Sequence, residues 1–195
     1  ALCGELEQRA GTSHIGTGVR GGGSGAEHSV AYSAQSAFIF AGTISENITF
    51  GLPFVQATFD RVAYACGLLP DFAQLPAGEA TEIGERGVNL SGGQKARVSL
   101  ARAAYATLRG AASVVLLDDP LSAVDVHVAA HIFEHCIKGI LLGGGDDGEG
   151  EGVGGQGGEQ QLPRKTCVVL ATHHLQFLPQ ADVVMSLGRD GKMLM

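Results

Sequence analysis

The chain reads as an α/β domain with a mostly parallel core sheet and a helical portion set into it. Two observations carry that expectation. Ser113–Pro120 contains four consecutive apolar residues, Val114–Leu117, closed by Asp118 and Asp119. An apolar run without alternation reads as a strand buried on both faces, the habit of parallel sheets. Ahead of it, Ser91, Gly92 and Gly93 precede a segment rich in helix formers with apolar Val98, Leu100 and Ala101. A short polar residue before such a run is a helix start, and the helix is expected from about Gly93 to Thr107.

The other elements follow in order. Residues 1–6 resemble the end of a helix, and Gly16–Arg20 and Ser29–Ser33 read as short strands around the glycine-rich Gly21–Gly25. Ser45–Leu75 is expected to be mostly helical, with Phe54, Phe59, Val62, Ala63, Ala65 and Cys66 on one face. Pro70 and Pro76 mark breaks in it. A further helix is expected from Val126 to about Leu142. Gly143–Gln161 combines glycines with Asp146, Asp147, Glu149, Glu151 and Glu159. It can bury almost nothing and is expected to be disordered. Lys165–Ala171 and Asp182–Leu187 read as strands, and Arg189–Gly191 as a hairpin turn into Met193–Met195.

The 195 residues suit one domain, and 45% hydrophobic content allows a real core. Net charge is −7 with no basic stripe, which argues against nucleic acid as a partner. The longest apolar runs, Val114–Leu117 and Cys167–Ala171, are far too short to span a bilayer. No signal peptide is visible at the start. Cys3, Cys66, Cys136 and Cys167 show no Cys-x-x-Cys pairing and read as reduced, mostly buried thiols of a cytosolic domain. Asn47–Thr49 matches a glycosylation acceptor by its letters, a tripeptide common by chance.

Chemistry concentrates at a few points. A helix N-terminus offers free N–H groups and a positive dipole end, and glycine lets a phosphate approach the backbone. Leu90-Ser91-Gly92-Gly93-Gln94 meets both conditions. Acids at the carboxyl end of a parallel strand lie where open α/β sheets bind ligands, and Asp118 and Asp119 stand there. With Gln35, Ser122–Asp125 and Thr172-His173, these segments in this order resemble ATP-binding-cassette (ABC) ATPases. The flanking segments Ala41–Gly51, Thr81–Gly87 and Ala123–His135 resemble exporters, most closely the C subfamily of the multidrug-resistance-associated type, and within it the first of two nucleotide-binding domains.

The resemblance implies a P-loop NTPase-like cassette across residues 1–195, with a helical subdomain at about 45–107 and the glycine-rich insert at about 143–161. It implies ATP and Mg²⁺ as cofactors. Asp118 would hold Mg²⁺, usually through water, with help from Gln35. Asp119 would be the general base, where the family normally has Glu. His173 would sense the γ-phosphate, with His174 on the surface. Ser91, Gly92, Gly93, Gln94 and Asp125 would face a nucleotide held mainly by a second cassette. The implied partners are that second nucleotide-binding domain and transmembrane domains of one transporter, at the cytosolic face of a membrane.

No Gly-x-x-x-x-Gly-Lys-Ser/Thr string occurs, and Gly21–Gly25 is followed by Ala26-Glu27. Ala1–Leu6 resembles the end of the Walker A helix, so the chain is expected to begin just downstream of the phosphate loop, as an N-terminally truncated domain. Other readings stay open: a soluble ABC-type ATPase acting as a clamp in DNA repair or translation, or a cassette remnant without catalysis. His127, His131 and His135 recur at four-residue spacing beside Cys136. As zinc ligands they would spread over about 12 Å of helix, too far for one ion. His173 and His174 are adjacent, so a strand or sharp loop is expected to aim them apart.

Overall fold

The structure, a computed structural model, describes residues 29–87, 89–143, 166–188 and 193–194. The expected helix at 1–6, the strand at 16–20, the glycine loop at 21–25, the insert beyond Gly143 and the turn at 189–191 lie outside the described residues. In chain order the elements are β1 (Val30–Ser33), β2 (Gly42–Thr43), α1 (Ile44–Thr49), α2 (Gln56–Ala65), α3 (Leu69–Gln74), β3 (Glu82–Ile83), α4 (Gly92–Leu108), β4 (Val114–Asp118), α5 (Val126–Ile132), β5 (Cys167–Ala171), β6 (Ser186–Leu187) and β7 (Met193–Leu194).

β1, β4 and β5 form a parallel sheet in that order, with Leu116 between Tyr32 and Val169 and Asp118 opposite Ala171. β4 is central and buried from Val114 to Leu117, as an unalternating apolar run requires. β5 differs: Val168 and Leu170 pack against the core, while Cys167, Val169 and Ala171 are exposed. The expected strand at Asp182–Leu187 is confined to Ser186–Leu187, which pairs antiparallel with Met193–Leu194. Val183, Val184 and Met185 before it are exposed. No ladder fixes those three residues.

The helical portion is held by small residues and two buried polar anchors. Ala101, Ala103 and Ala104 are buried on α4 and let other elements approach closely. Ser99 Oγ on α4 lies 3.1 Å from Ser33 Oγ on β1, both buried. Tyr105 is fully buried, and its hydroxyl donates to the Pro53 carbonyl at 2.7 Å and accepts from the Val55 amide at 2.9 Å. That pair of bonds ties α4 to the loop before α2. On α2, Phe59, Val62, Ala63 and Ala65 face the core, followed by buried Cys66. Phe54 does not join this face as expected. It is about half exposed, with its ring tilted against that of Phe59, centroids 5.2 Å apart.

α1 begins with a capping box: the Glu46 amide donates to Thr43 Oγ1 and the Thr43 amide to Glu46 Oε2. Buried Asn47 donates to the Phe40 and Thr43 carbonyls and accepts from the Phe40 amide. Its side chain is spent inside the fold, which removes the glycosylation reading. α5 continues past Ile132, but over Phe133–Leu141 the helix widens to i→i+5 hydrogen bonding. Ile132/Phe133, Cys136/Ile137 and Ile140/Leu141 are buried pairs spaced every four residues. A helix wider than about 3.6 residues per turn helps keep such a spacing on one side. Among the described residues no helix is long and apolar enough to cross a membrane.

Candidate functional site

The N-terminus of α4 is built by its own sequence. Ser91 is extended and caps the helix: its Oγ accepts from the Gln94 amide at 3.2 Å, and Gln94 Oε1 accepts from the Ser91 amide at 2.8 Å. The remaining Gln94 donor, Nε2, reaches Asp71 Oδ1 on α3 at 3.0 Å. Arg97 meets the same carboxylate through both oxygens, at 2.9 and 2.7 Å, in a pair whose side chains are each 14% exposed. Gly93 packs so tightly that an added Cβ would sit 2.6 Å from the Ala123 carbonyl oxygen. Gly92 is open, with nothing within 4 Å of that position.

The second wall comes from the end of β4. Asp118 closes the strand, half-buried. Asp119 then takes a left-handed backbone, φ 49°, which few residues other than Gly, Asn and Asp adopt readily. Its amide donates to the Ala171 carbonyl at 2.9 Å, and its own carbonyl accepts from Ser122 Oγ at 2.8 Å. This turn holds the carboxylate against His173, whose Nδ1 is 3.0 Å from each Oδ. An ionised carboxylate only accepts, so Nδ1 carries the proton in that pair and Nε2 is free to engage something else. The next side chain stays close: the His173 and His174 rings lie 4.4 Å apart and tilted by 32°. The two histidines are therefore not aimed apart as expected. Nor is His174 a free surface residue, because its Nε2 is buried without a hydrogen-bond partner. The His174 amide bonds Thr172 Oγ1 at 3.1 Å, a tight turn that keeps both rings on one side.

A cleft of about 530 Å³ opens between these walls. Gln35, Gly92 and Asp119 line it, together with Lys95 and Ser122. Among the described residues, Asp118, Ser91, Gly93, Gln94, Asp125 and His173 lie off its wall. Ser91 and Gln94 are the cap, Gly93 abuts the 119–125 turn, and His173 joins through Asp119. Asp125 caps α5: its Oδ1 accepts from the His127 and Val128 amides, each at 3.0 Å. The Val128 amide, then that of His127, hold the Asp125 carboxyl below the usual carboxylate range.

Asp71 and the cleft-lining Lys95 are the side chains that sequence reasoning passed over, and His174 was set on the surface. Asp71 is 26 positions from Arg97, with no linear pattern to reveal the pair. His174 had one available signal, its adjacency to His173.

The remaining clusters are structural. His131 and His135 pack 4.4 Å apart against Tyr64, and His131 Nε2 contacts the Tyr64 carbonyl at 2.8 Å. Cys66 and Cys136 face each other at 3.6 Å in the core. Burial, then the Cys136 contact, push the Cys66 thiol well above its ordinary pKa, so it stays protonated. Cys167 is exposed rather than buried.

No protein-family model matches the chain. Similar proteins are found by direct comparison. Human ATP-binding cassette sub-family C member 3 is 43% identical over 194 residues, 98% of this chain and 10% of that protein. Mouse ATP-binding cassette sub-family C member 2 is 45% identical over 163 residues, 83% of this chain and 9% of that protein. Multidrug resistance protein mrp-7 of Caenorhabditis elegans is 47% identical over 156 residues, 80% of this chain and 9% of that protein. The chain thus spans about a tenth of the length of the relatives it matches.

Proposed function

Because the chain belongs to the C subfamily of the ATP-binding-cassette family, we propose that it serves as part of an ATP-hydrolysing cassette that drives an exporter. The carrying observation is the shared cleft. It brings Gln35, Asp119, Lys95 and the open Gly92 at the start of a 17-residue helix to one space. The Gln35 amide oxygen and Asp119 carboxylate suit magnesium on a triphosphate of this chain's own site, while the helix-terminal N–H groups at Gly92 suit the phosphates of a second one across the cleft. Bound Mg²⁺ would neutralise phosphate charge as it develops. On this reading Gln35 and Asp118 would hold the ion, Asp118 through water. Asp119 Oδ would take the proton of an attacking water or orient it. His173, its Nδ1 proton fixed on Asp119, would turn Nε2 toward the phosphoryl group. Ser91 and Gly93 would shape the α4 terminus, with Gly92 the point of closest approach to a nucleotide carried by a second cassette. Transmembrane domains of the same transporter would receive the motion.

The two nucleotide sites of such a protein would be unequal. Asp119 is one methylene shorter than Glu, about 1.5 Å of reach. A misplacement near 1 Å costs on the order of a hundredfold in rate. The site based on Asp119 would therefore turn over slowly, and the site completed by Gly92 would do most of the hydrolysis. Steady-state ATPase of the full-length protein tests this. Gly92→Asp sets a carboxylate against the partner's phosphate and should abolish most activity, while Asp119→Asn should change it little. Equal damage from the two substitutions would sink the unequal reading, and undiminished activity with Gly92→Asp would sink the cassette reading itself. Position 92 is the right probe because a side chain at 93 collides with the Ala123 carbonyl whatever its charge.

A further inference from the structure

The geometry points to a transition-metal site of zinc type built from Asp119, His173 and His174. One ligand atom from each of these three side chains falls within 4.8 Å of the others, the one such grouping of ligand-type side chains among the described residues. Asp119 and His173 already stand 3.0 Å apart. A zinc ion with ligands at about 2.0–2.1 Å needs ligand atoms about 3.3 Å from one another. With the Nδ1 proton shifted to Nε2 as the ion binds, one edge of the tetrahedron is nearly in place, and a ligand atom of His174 stands within 4.8 Å of both.

His174 is the informative member. Its Nε2 is buried and makes no hydrogen bond, an arrangement that costs free energy unless something pairs with it. The family reading of the cleft uses Asp119 and His173 and gives His174 nothing to do. A metal ion would give it a partner. The side chains also fit together mechanically. His173 and His174 lie 4.4 Å apart on a turn fixed by the Thr172 hydroxyl, and the Phe177 ring packs 6.1 Å from His174. Asp119 is held by its own left-handed turn and by the Ala171 carbonyl.

Two imidazoles and one carboxylate select a borderline ion such as Zn²⁺ over Mg²⁺ or Ca²⁺, which prefer all-oxygen shells. Three protein ligands leave a fourth position for water. The His127, His131 and His135 row supplies the contrast, since His131 Nε2 is already engaged by the Tyr64 carbonyl. The site shares two side chains with the proposed hydrolytic centre but does not require that assignment.

Cobalt(II) titration of the 195-residue chain, read by visible ligand-field absorption and displaced by zinc, tests the site. One Co²⁺ per chain is expected. Loss of outer-shell partners alone weakens metal sites by about 10–100-fold, so His174→Gln and His173→Gln should each weaken binding by at least about tenfold. His131→Gln and His135→Gln should leave it unchanged. His174→Cys keeps a ligand and should retain binding, with a thiolate-to-cobalt band that the parent lacks. Far-UV circular dichroism of each variant establishes that it is folded. Cobalt binding that is the same in His174→Gln as in the parent would overturn the proposal. So would binding lost with His131→Gln, or no ligand-field band in the folded parent.

Discussion

At the α4 end of the cleft, Ser91, Gln94, Arg97 and Asp71 form a closed set of hydrogen bonds. At the β4 end, Asp119 meets an imidazole that is 65% exposed and sits in left-handed backbone. The first arrangement spends its polar groups on holding shape. What it leaves over is backbone: an open Gly92 and the free N–H groups of a helix terminus. The second leaves its side chains available to change partners, on a left-handed turn that few residues besides Asp could take there. The difference teaches that the five-residue stretch Leu90–Gln94 is tied, through Gln94, to a residue outside it, Asp71 on α3. It also separates two glycines that look alike in sequence, one structural and one exposed.

The sharpest way to break this contrast is Asp71→Ala. It removes the acceptor of Gln94 and strands the Arg97 guanidinium, whose Nε already lacks a partner. Unpairing a buried ion costs about 3–5 kcal/mol, and the partial exposure here brings the expected loss to roughly 2–3 kcal/mol. Urea unfolding at neutral pH measures it. A loss below about 1 kcal/mol would show that the α4 end does not depend on α3.

A smaller effect separates the glycines. Gly93→Ala pushes a methyl to 2.6 Å from a backbone oxygen, so the turn carrying Ala123 must move. Overpacking of this kind costs about 1–3 kcal/mol. Gly92→Ala meets nothing within 4 Å, and its stability should stay within about 0.5 kcal/mol of the parent. Thermal melts of the two variants side by side provide the comparison. Equal shifts would mean that the Gly93 contact is not what positions the helix start.

The same contrast explains what could be read in advance. β4, α2 and α4 were legible because each carries a local signal: an unbroken apolar run, a helical apolar face, or a serine and two glycines ahead of a run of helix formers. The parallel sheet and its acids at the strand end followed from that one run. What could not be read depends on neighbours in space. Val169 is as apolar as Leu116, yet about 40% exposed, because a strand's cover is set by what packs on it rather than by its own letters. The close, tilted His173 and His174 rings depend on a Thr172 turn, where a strand would have separated them. The tie of Gln94 to Asp71 joins residues 23 apart. The change to wider helical turns at Phe133 shows in the sequence only as a four-residue spacing that α-helical reasoning absorbs.

The smallest expected effect tests the β4 end, through Asp125 and its cap on α5. Its carboxyl is held low by the Val128 and His127 amides. A carboxylate whose folded pKa is depressed adds stability that is fully present above its unfolded pKa, about 3.9. That contribution is lost as pH falls through the lower, folded value. Asp125→Asn keeps an acceptor for both amides but removes the charge that favours the helix N-terminus. At pH 7 the parent should be slightly more stable than the variant. The gap should begin to close near pH 4 and vanish in stronger acid. Urea midpoints for both proteins between about pH 6 and pH 2 give the difference curve. Midpoints that stay a constant distance apart across that range would show that the cap works through geometry alone, with no contribution from the Asp125 charge.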